Sequence, residues 1–305
     1  MDGWVAKGGA ELGTNRTIPT EDDYKKIADR LAEQKIDGLL IIGGSTGYQT
    51  AYRLAQQRAN YPTFNIPLVC VPATINNDLP GTQVSLGADT ALNTIMLDVD
   101  KLKESAVATQ RCFVVEVMGR DCGYLALMSG LATGAERVYL PEEGIMLDDL
   151  QADVALLKEG FTGGKRLGLM IRSENADLIY TTPFLVALFE KEGGDLFDVR
   201  PVVLGHVQRG GPPSPFDRIQ ATRLTAKALE QLLASAEQHI APAVAVGRWS
   251  GKIHVTDLEQ LPDLMVRGTQ RPKEQHWLKL RPIVKLMSQP NILVLQNQEE
   301  VDSLD

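Results

Sequence analysis

The chain has 305 residues, 44% of them apolar and 23% charged, with 27 Gly and 16 Pro, proportions that exclude collagen, a coiled coil, disorder and a disulfide scaffold. A balance of 31 basic against 39 acidic side chains gives a formal charge of -8, which opposes adhesion to nucleic acid or to an anionic membrane, so an anionic ligand must be met by local basic clusters. Three cysteines without a Cys-x-x-Cys pair, no signal-type start and no apolar run of spanning length point to a cytoplasmic protein that neither crosses a membrane nor is exported.

The first element expected is a helix over 21–34, where Thr20 can cap, Glu21, Asp22 and Asp23 sit at the positive end of the dipole, and Ile27, Ala28 and Leu31 form one stripe. A strand over 38–42 then leads into a helix over 46–59, a strand over 67–71 into a loop and a helix over 89–105, and a strand over 111–117 into a helix over 123–134. Strands over 137–140, 166–171 and 201–204 precede helices over 148–159, 181–192 and 215–234, and a strand over 243–246 comes before a last helix over 277–287. Alternation of this kind is the mark of βα units around a mostly parallel sheet, and the length suggests two domains. The Gly-rich stretch 158–165 reads as a helix stop with a turn or as a domain hinge, and 255–271, without clear periodicity, is expected to wrap over the surface. No strand precedes the helix at residue 21, whereas doubly wound folds begin with one, so an opening strand is expected upstream.

Four segments at strand exits carry the candidate chemistry. Gly43 and Gly44, followed by Ser45 and Thr46, let a polyanion approach the backbone at a helix N-terminus, although a tight βα turn explains the pair equally. Thr74, Asn76, Asn77 and Asp78 crowd donors and acceptors into the loop after the second strand, where open α/β sheets bind ligands; a capping and turn segment accounts for them as well. Met118, Gly119 and Arg120 follow the third strand, and Arg200, His206, Gln208 and Arg209 flank the sixth, supplying guanidinium forks suited to phosphate oxygens. Met118 also reads as partly core. His239, His254 and His276 read as surface or packing residues, and the four histidines show no metal-site spacing. Trp4, Trp249 and Trp277 are too scattered to form a stacking platform for single-stranded nucleic acid.

The runs Gly-Gly-Ala-Glu-Leu-Gly-Thr-Asn-Arg16, Ile-Gly-Gly-Ser-Thr-Gly-Tyr48, Pro-Ala-Thr-Ile-Asn-Asn-Asp78-Leu-Pro-Gly-Thr82, Gly-Ala-Asp-Thr-Ala-Leu-Asn-Thr94, Val-Met-Gly-Arg120 and Leu-Gly-His-Val-Gln-Arg209-Gly-Gly, in this order, resemble the ATP-dependent 6-phosphofructokinase family over nearly the whole chain. The resemblance implies two αβα-type lobes with mostly parallel sheets, over 1–140 (lacking its first strand) and 141–275, and a C-terminal helix and tail over 276–305. It implies glycolytic transfer of phosphate from MgATP to fructose 6-phosphate held between the lobes, in an oligomer of at least two chains. Arg16 would lie near the nucleotide phosphates, and Thr74, Met118, Gly119, Arg120, Glu174, His206 and Arg209 would contact the sugar phosphate, while Arg111 and Arg200 would reach a neighbour's site.

Two departures alter that expectation. Ser45 stands where the family's active modules carry an Asp that holds Mg²⁺, and Asn76 stands where they carry the Asp that acts as base toward the sugar 1-hydroxyl. An amide takes no proton at neutral pH, and loss of a positioned general base costs roughly 10²- to 10⁴-fold in rate. The resemblance is therefore closest to the regulatory C-terminal half of duplicated eukaryotic-type enzymes, an assignment the closing run Arg271-Pro-Lys-Glu-Gln-His-Trp-Leu-Lys-Leu-Arg-Pro282 shares. In that half, Arg16, Thr74, Asn76, Arg111, Glu174, Arg200, His206, Arg209 and Arg271, with Asn77 and Asp78 alongside, would hold fructose 2,6-bisphosphate or fructose 6-phosphate. Gly43, Gly44, Ser45 and Thr46 would be the remnant of a nucleotide loop, with ATP and Mg²⁺ not bound productively and with a catalytic half fused or separate. Asp78, Arg120 and Arg209 keep the active-module type and support the alternative, a kinase competent in its own right. A generic nucleotide-binding protein without a sugar site rests on Gly43 and Gly44 alone.

Overall fold

The computed structural model describes residues 3–287. The chain forms two compact units, each assembled from separated stretches: Met1–Thr90 with Gly211–Glu274, and Ala91–Gly210 with Gln275–Asp305. This differs from the consecutive lobes over 1–140 and 141–275 expected above, because the second unit is inserted into the first and local sequence pattern carries no record of such an insertion.

Unit one holds α1 (Glu21–Glu33), β1 (Leu39–Gly43), α2 (Ser45–Gln56), β2 (Leu68–Pro72), the start of α3 (Ala88–Val107) and, after the insertion, α7 (Pro215–Glu237), β7 (Ala243–Trp249), β8 (Lys252–Asp257) and α8 (Leu261–Leu264). α1 begins where Thr20 donates from both its N–H and its hydroxyl to the Asp23 carboxylate, at 3.0 and 2.9 Å, which holds that carboxyl below its ordinary pKa chiefly through the backbone bond. The sheet order is β1-β2-β7-β8, with β7 spanning Ala243–Trp249 and β8 spanning Lys252–Asp257. Pairings are parallel except β7 with β8.

Alternation along the strands sorts the core. Leu68 and Cys70 of β2 and Ala243 and Ala245 of β7 join Tyr24, Leu31, Tyr48, Leu54 and Phe64, whereas Val69, Val71, Val244 and Val246 join Leu224 and Ala228 of α7 (Pro215–Glu237). Each Leu, Val or Phe side chain among them taken fully from water contributes about 1.5–3 kcal/mol.

Unit two holds nearly all of α3, then β3 (Arg111–Val117), α4 (Tyr124–Thr133), β4 (Arg137–Tyr139), α5 (Leu147–Thr162), β5 (Leu167–Ser173), α6 (Thr182–Gly193), β6 (Asp198–Val203) and α9 (Arg281–Met287). Its four strands run parallel in the order β4-β5-β3-β6. Cys112, Val114, Met170 and Val199 pack with Leu150, Leu157, Phe161, Leu185 and Phe189 of α5 and α6, and the Phe161 and Phe197 rings stack at 4.5 Å. α5 runs through the Gly-rich stretch to Thr162 with both flanks in unit two, so that stretch is a helix stop and not a domain hinge.

Three expectations are corrected. The sixth strand begins at Asp198 and not at 201, because β6 is an edge strand and tolerates Pro201 without losing a ladder donor. Lys252–Asp257 is a strand, not a surface wrap: Ser250 at φ 46° and Gly251 at φ 81° form the tight turn that folds β8 back on β7. The last helix is preceded by a 3₁₀ turn over His276–Leu280, which buries Trp277 edge-on to Tyr124 at 5.8 Å. Among the described residues no strand precedes β1, the stretch ahead of α1 containing a short 3₁₀ turn, Trp4–Ala6. No helix of the described residues is long and apolar enough to cross a membrane.

Candidate functional site

In unit one, two strand-exit loops lie side by side. Gly43 ends β1 and accepts the Ala73 N–H at 2.9 Å, and Gly44 caps α2 so close to Thr74 that a Cβ there would lie 3.4 Å from the threonine Cβ. Ser45 donates to Gln270 Oε1 at 3.3 Å, and Thr46 accepts the Thr50 hydroxyl at 2.8 Å through its carbonyl. Gln270 brings with it the turn of Arg271, where the Val266 N–H reaches the Arg271 carbonyl at 3.0 Å. Arg271, expected in the second lobe, thus belongs to unit one, and Gln270 was not singled out from the sequence.

The loop after β2 is tied to itself. Thr74 Oγ1 accepts the Asn76 N–H at 3.2 Å, and the Ser85 hydroxyl donates to the Thr74 carbonyl at 2.6 Å. Asn77, held at φ 54°, accepts the Ser85 N–H at 2.8 Å and donates to the Gln83 carbonyl at 2.8 Å, so its amide is a loop clamp. Asn76 is buried; its Nδ2 donates to Asp78 Oδ2 at 3.2 Å, while its Oδ1 has no hydrogen-bond partner among the described residues. The far side of the loop sits on β7. A Cβ at Gly247 would fall 1.9 Å from the Gly81 carbonyl oxygen, an approach only glycine allows. Arg16 lies on the exposed stretch ahead of α1.

In unit two the residues gather at the carboxyl ends of β3 and β5. Glu174 Oε1 accepts the N–H of Gly119 at 3.2 Å and of Arg120 at 2.9 Å, fixing a turn in which Arg120 takes φ 53°. Met118, buried, donates its N–H to Gln208 Oε1 at 3.1 Å, and Arg209 Nε approaches Met118 Sδ at 3.3 Å. His206 and Arg209 are exposed on the 3₁₀ turn Gly205–Arg209, which the buried Gln208 anchors by donating to the Gly205 carbonyl at 2.9 Å. Glu142, absent from the sequence reading, accepts the N–H of Gly123, the N-cap of α4, at 3.0 Å.

Arg111 and Arg200 stand apart from that cluster. Arg111 opens β3 at the opposite end of the strand from Met118, about 23 Å away at 3.3 Å per residue. Its partner across the β3–β6 register is Asp198, whose carboxylate lies 3.9 Å from Arg111 Nε and accepts from Arg200 Nη2 at 3.1 Å. One carboxylate therefore gathers two guanidinium groups at the far edge of the sheet.

The loop leaving β5 is held by a residue that sequence reading passed over. Arg172 is buried and donates to Glu116, while Asp177 caps the same loop by accepting the N–H groups of Ile179 and Tyr180 at 2.7 and 2.9 Å. Partial burial pushes the Asp177 carboxyl up, but the N–H groups of Tyr180, Ile179 and Ile145 together with Arg172 outweigh it and leave the pKa lowered. Among the described residues no group of three or more His, Cys, Asp or Glu side chains is arranged to hold a metal ion.

The family model for phosphofructokinase matches residues 1–232. The chain is 43% identical over 283 residues to ATP-dependent 6-phosphofructokinase of Dictyostelium discoideum, covering 92% of this chain and 34% of that protein. It is 41% identical over 306 residues to the platelet-type enzyme of Rattus norvegicus, covering 94% of this chain and 38% of the relative. The solved phosphofructokinase of Saccharomyces cerevisiae superposes with a TM-score of 0.90 at 34% identity, over 95% of this chain and 40% of that one. The chain thus spans about a third to two fifths of the length of these relatives. By sequence model, by relatives and by fold, the chain belongs to the phosphofructokinase family.

Proposed function

We propose that this chain is the sugar-phosphate-sensing part of an ATP-dependent 6-phosphofructokinase of glycolysis, binding fructose 2,6-bisphosphate or fructose 6-phosphate without itself transferring phosphate. The carrying observation is Asn76: at the position where a base would stand, the buried side chain is an amide that donates to Asp78. Oδ1 is left to accept from a sugar hydroxyl, and the second Nδ2 hydrogen can meet a phosphate oxygen. A carboxylate there would repel a second phosphate by about 4 kcal/mol at roughly 4 Å and an effective dielectric of 20. Exchanging it for an amide removes both the base and the repulsion.

The turn after β1 supports the same reading. It offers the Ser45 hydroxyl, engaged with Gln270, and no carboxylate, whereas Mg²⁺ is held through carboxylates and substrate phosphates. These residues do not fit the metal. On this reading, Arg120, His206 and Arg209 of unit two supply cations for the ligand. Arg111 and Arg200, at the far edge of their sheet, would serve a neighbouring chain, with a second copy or a catalytic part of a longer polypeptide as partner.

One observation favours a second reading: Asp78 keeps a buried carboxylate beside Asn76, and a competent kinase would use it. Titration calorimetry separates the two. Sensing requires fructose 2,6-bisphosphate to bind at least about tenfold tighter than fructose 6-phosphate, a preference that Asn76→Asp removes. Brisk turnover of MgATP and fructose 6-phosphate by the wild-type chain, with no gain from Asn76→Asp, would establish the kinase instead.

A further inference from the structure

The site leaves one prominent group unexplained. The Arg172 side chain is 1% exposed, the bulkiest fully buried side chain among the described residues, and it follows the apolar run Leu167–Ile171 near the end of β5. It stands opposite Glu116 in the β3–β5 register, and Nη1 donates to Glu116 Oε2 at 3.2 Å, the oxygen that also accepts from the Thr182 hydroxyl. Every other bond goes to main-chain carbonyls of one segment. Nε reaches Tyr180 at 3.2 Å, Nη1 reaches Ser173 and Glu174 at 3.1 and 3.0 Å, and Nη2 reaches Asp177 at 2.6 Å.

A buried guanidinium is a poor way to gain stability, since an apolar side chain of similar volume avoids its desolvation cost. What the planar fork supplies is geometry. Four carbonyls spaced along 173–180 are fixed at once, which a single ammonium point charge cannot do. The segment so fixed carries Glu174, whose carboxylate in turn holds Gly119 and Arg120 by their N–H groups.

We infer that Arg172 is a positioning residue: by clamping the loop after β5 it sets the Glu174 carboxylate, and through it the Met118–Gly119–Arg120 turn that receives the anionic sugar. The ligand side of this inference rests on the reading of the site given above. Arg172 touches no ligand itself. Glu116, from β3, completes the device by holding the guanidinium, and Thr182 at the start of α6 donates to the same Glu116 carboxylate oxygen.

Arg172→Lys, with Arg172→Met beside it, tests the inference through amide hydrogen exchange and through titration with fructose 6-phosphate and fructose 2,6-bisphosphate. In Arg172→Lys the Gly119 and Arg120 amides are expected to exchange at least about tenfold faster while the Val114 and Val115 amides of β3 stay as in wild type. Sugar-phosphate affinity is expected to fall at least about tenfold. A general structural role would instead speed exchange throughout β3 and β5 together. Wild-type exchange at both turn amides in folded Arg172→Lys overturns the inference, and that variant decides the matter if Arg172→Met does not fold. If the wild-type chain binds neither fructose phosphate, the functional reading falls, and the exchange arm alone decides the role of Arg172.

Discussion

The loop after β2 in unit one and the turn after β3 in unit two are both fastened by internal hydrogen bonds, yet they present opposite chemistry. In the first, Asn77 and Ser85 are spent on the loop itself, and the Asp78 carboxylate receives the Asn76 amide. In the second, a carboxylate from another loop, Glu174, does the fastening, and Arg120, His206 and Arg209 remain exposed. The contrast separates two requirements of phosphate chemistry. Recognition of a phosphate needs fixed donors and cations, groups of the kind exposed in unit two; removal of a proton needs a carboxylate, and at position 76 unit one presents an amide.

The comparison can be broken most severely at Gly247, on which the unit-one loop rests. Gly247→Ala drives a Cβ into the Gly81 carbonyl oxygen, backbone that cannot swing aside, and is expected to cost about 3 kcal/mol by the overpacking rule. Urea denaturation should show a lower midpoint, and sugar-phosphate binding should weaken with it; an unchanged midpoint would mean that the loop moves freely over β7. A smaller effect is expected at the clamp. Asn77→Ala removes the bonds to Ser85 and Gln83 and places alanine at φ 54°, for about 2 kcal/mol in all. Unit two offers the finer contrast of pH. Burial, aided by Lys279, lowers the His276 pKa below 6.5, so the folded state binds its proton less readily than the unfolded one. Stability is then full above pH 6.5 and falls as pH drops through the lowered value. His276→Gln should flatten that limb, and an identical pH profile in the variant would remove His276 from the account.

Strand and helix positions were largely legible because β2 and β7 alternate between two apolar cores and β3 carries the buried apolar run Cys112–Val115. β8 was not, since its exposed residues carry little hydrophobic signal and only the Ser250–Gly251 turn marks it. The site residues were legible as types at strand exits. Their duties were not: Asn77 turned out to clamp its own loop, and Glu174 to hold a backbone turn. Arg172 escaped notice because the expected strand ended at residue 171, which made a buried guanidinium look like the start of a loop.

What the sequence by itself determined is the α/β class, the family and the presence of a hydroxyl at Ser45 and an amide at Asn76, all of which are local identities in order along the chain. The tertiary structure alone decided that unit two is inserted within unit one, that Arg111 and Arg200 share Asp198 at the edge opposite Arg120, and that Arg172 grips the loop of Glu174. Those are contacts between residues far apart in sequence, set by strand order and register, and neither quantity is written in the periodicity of a single segment.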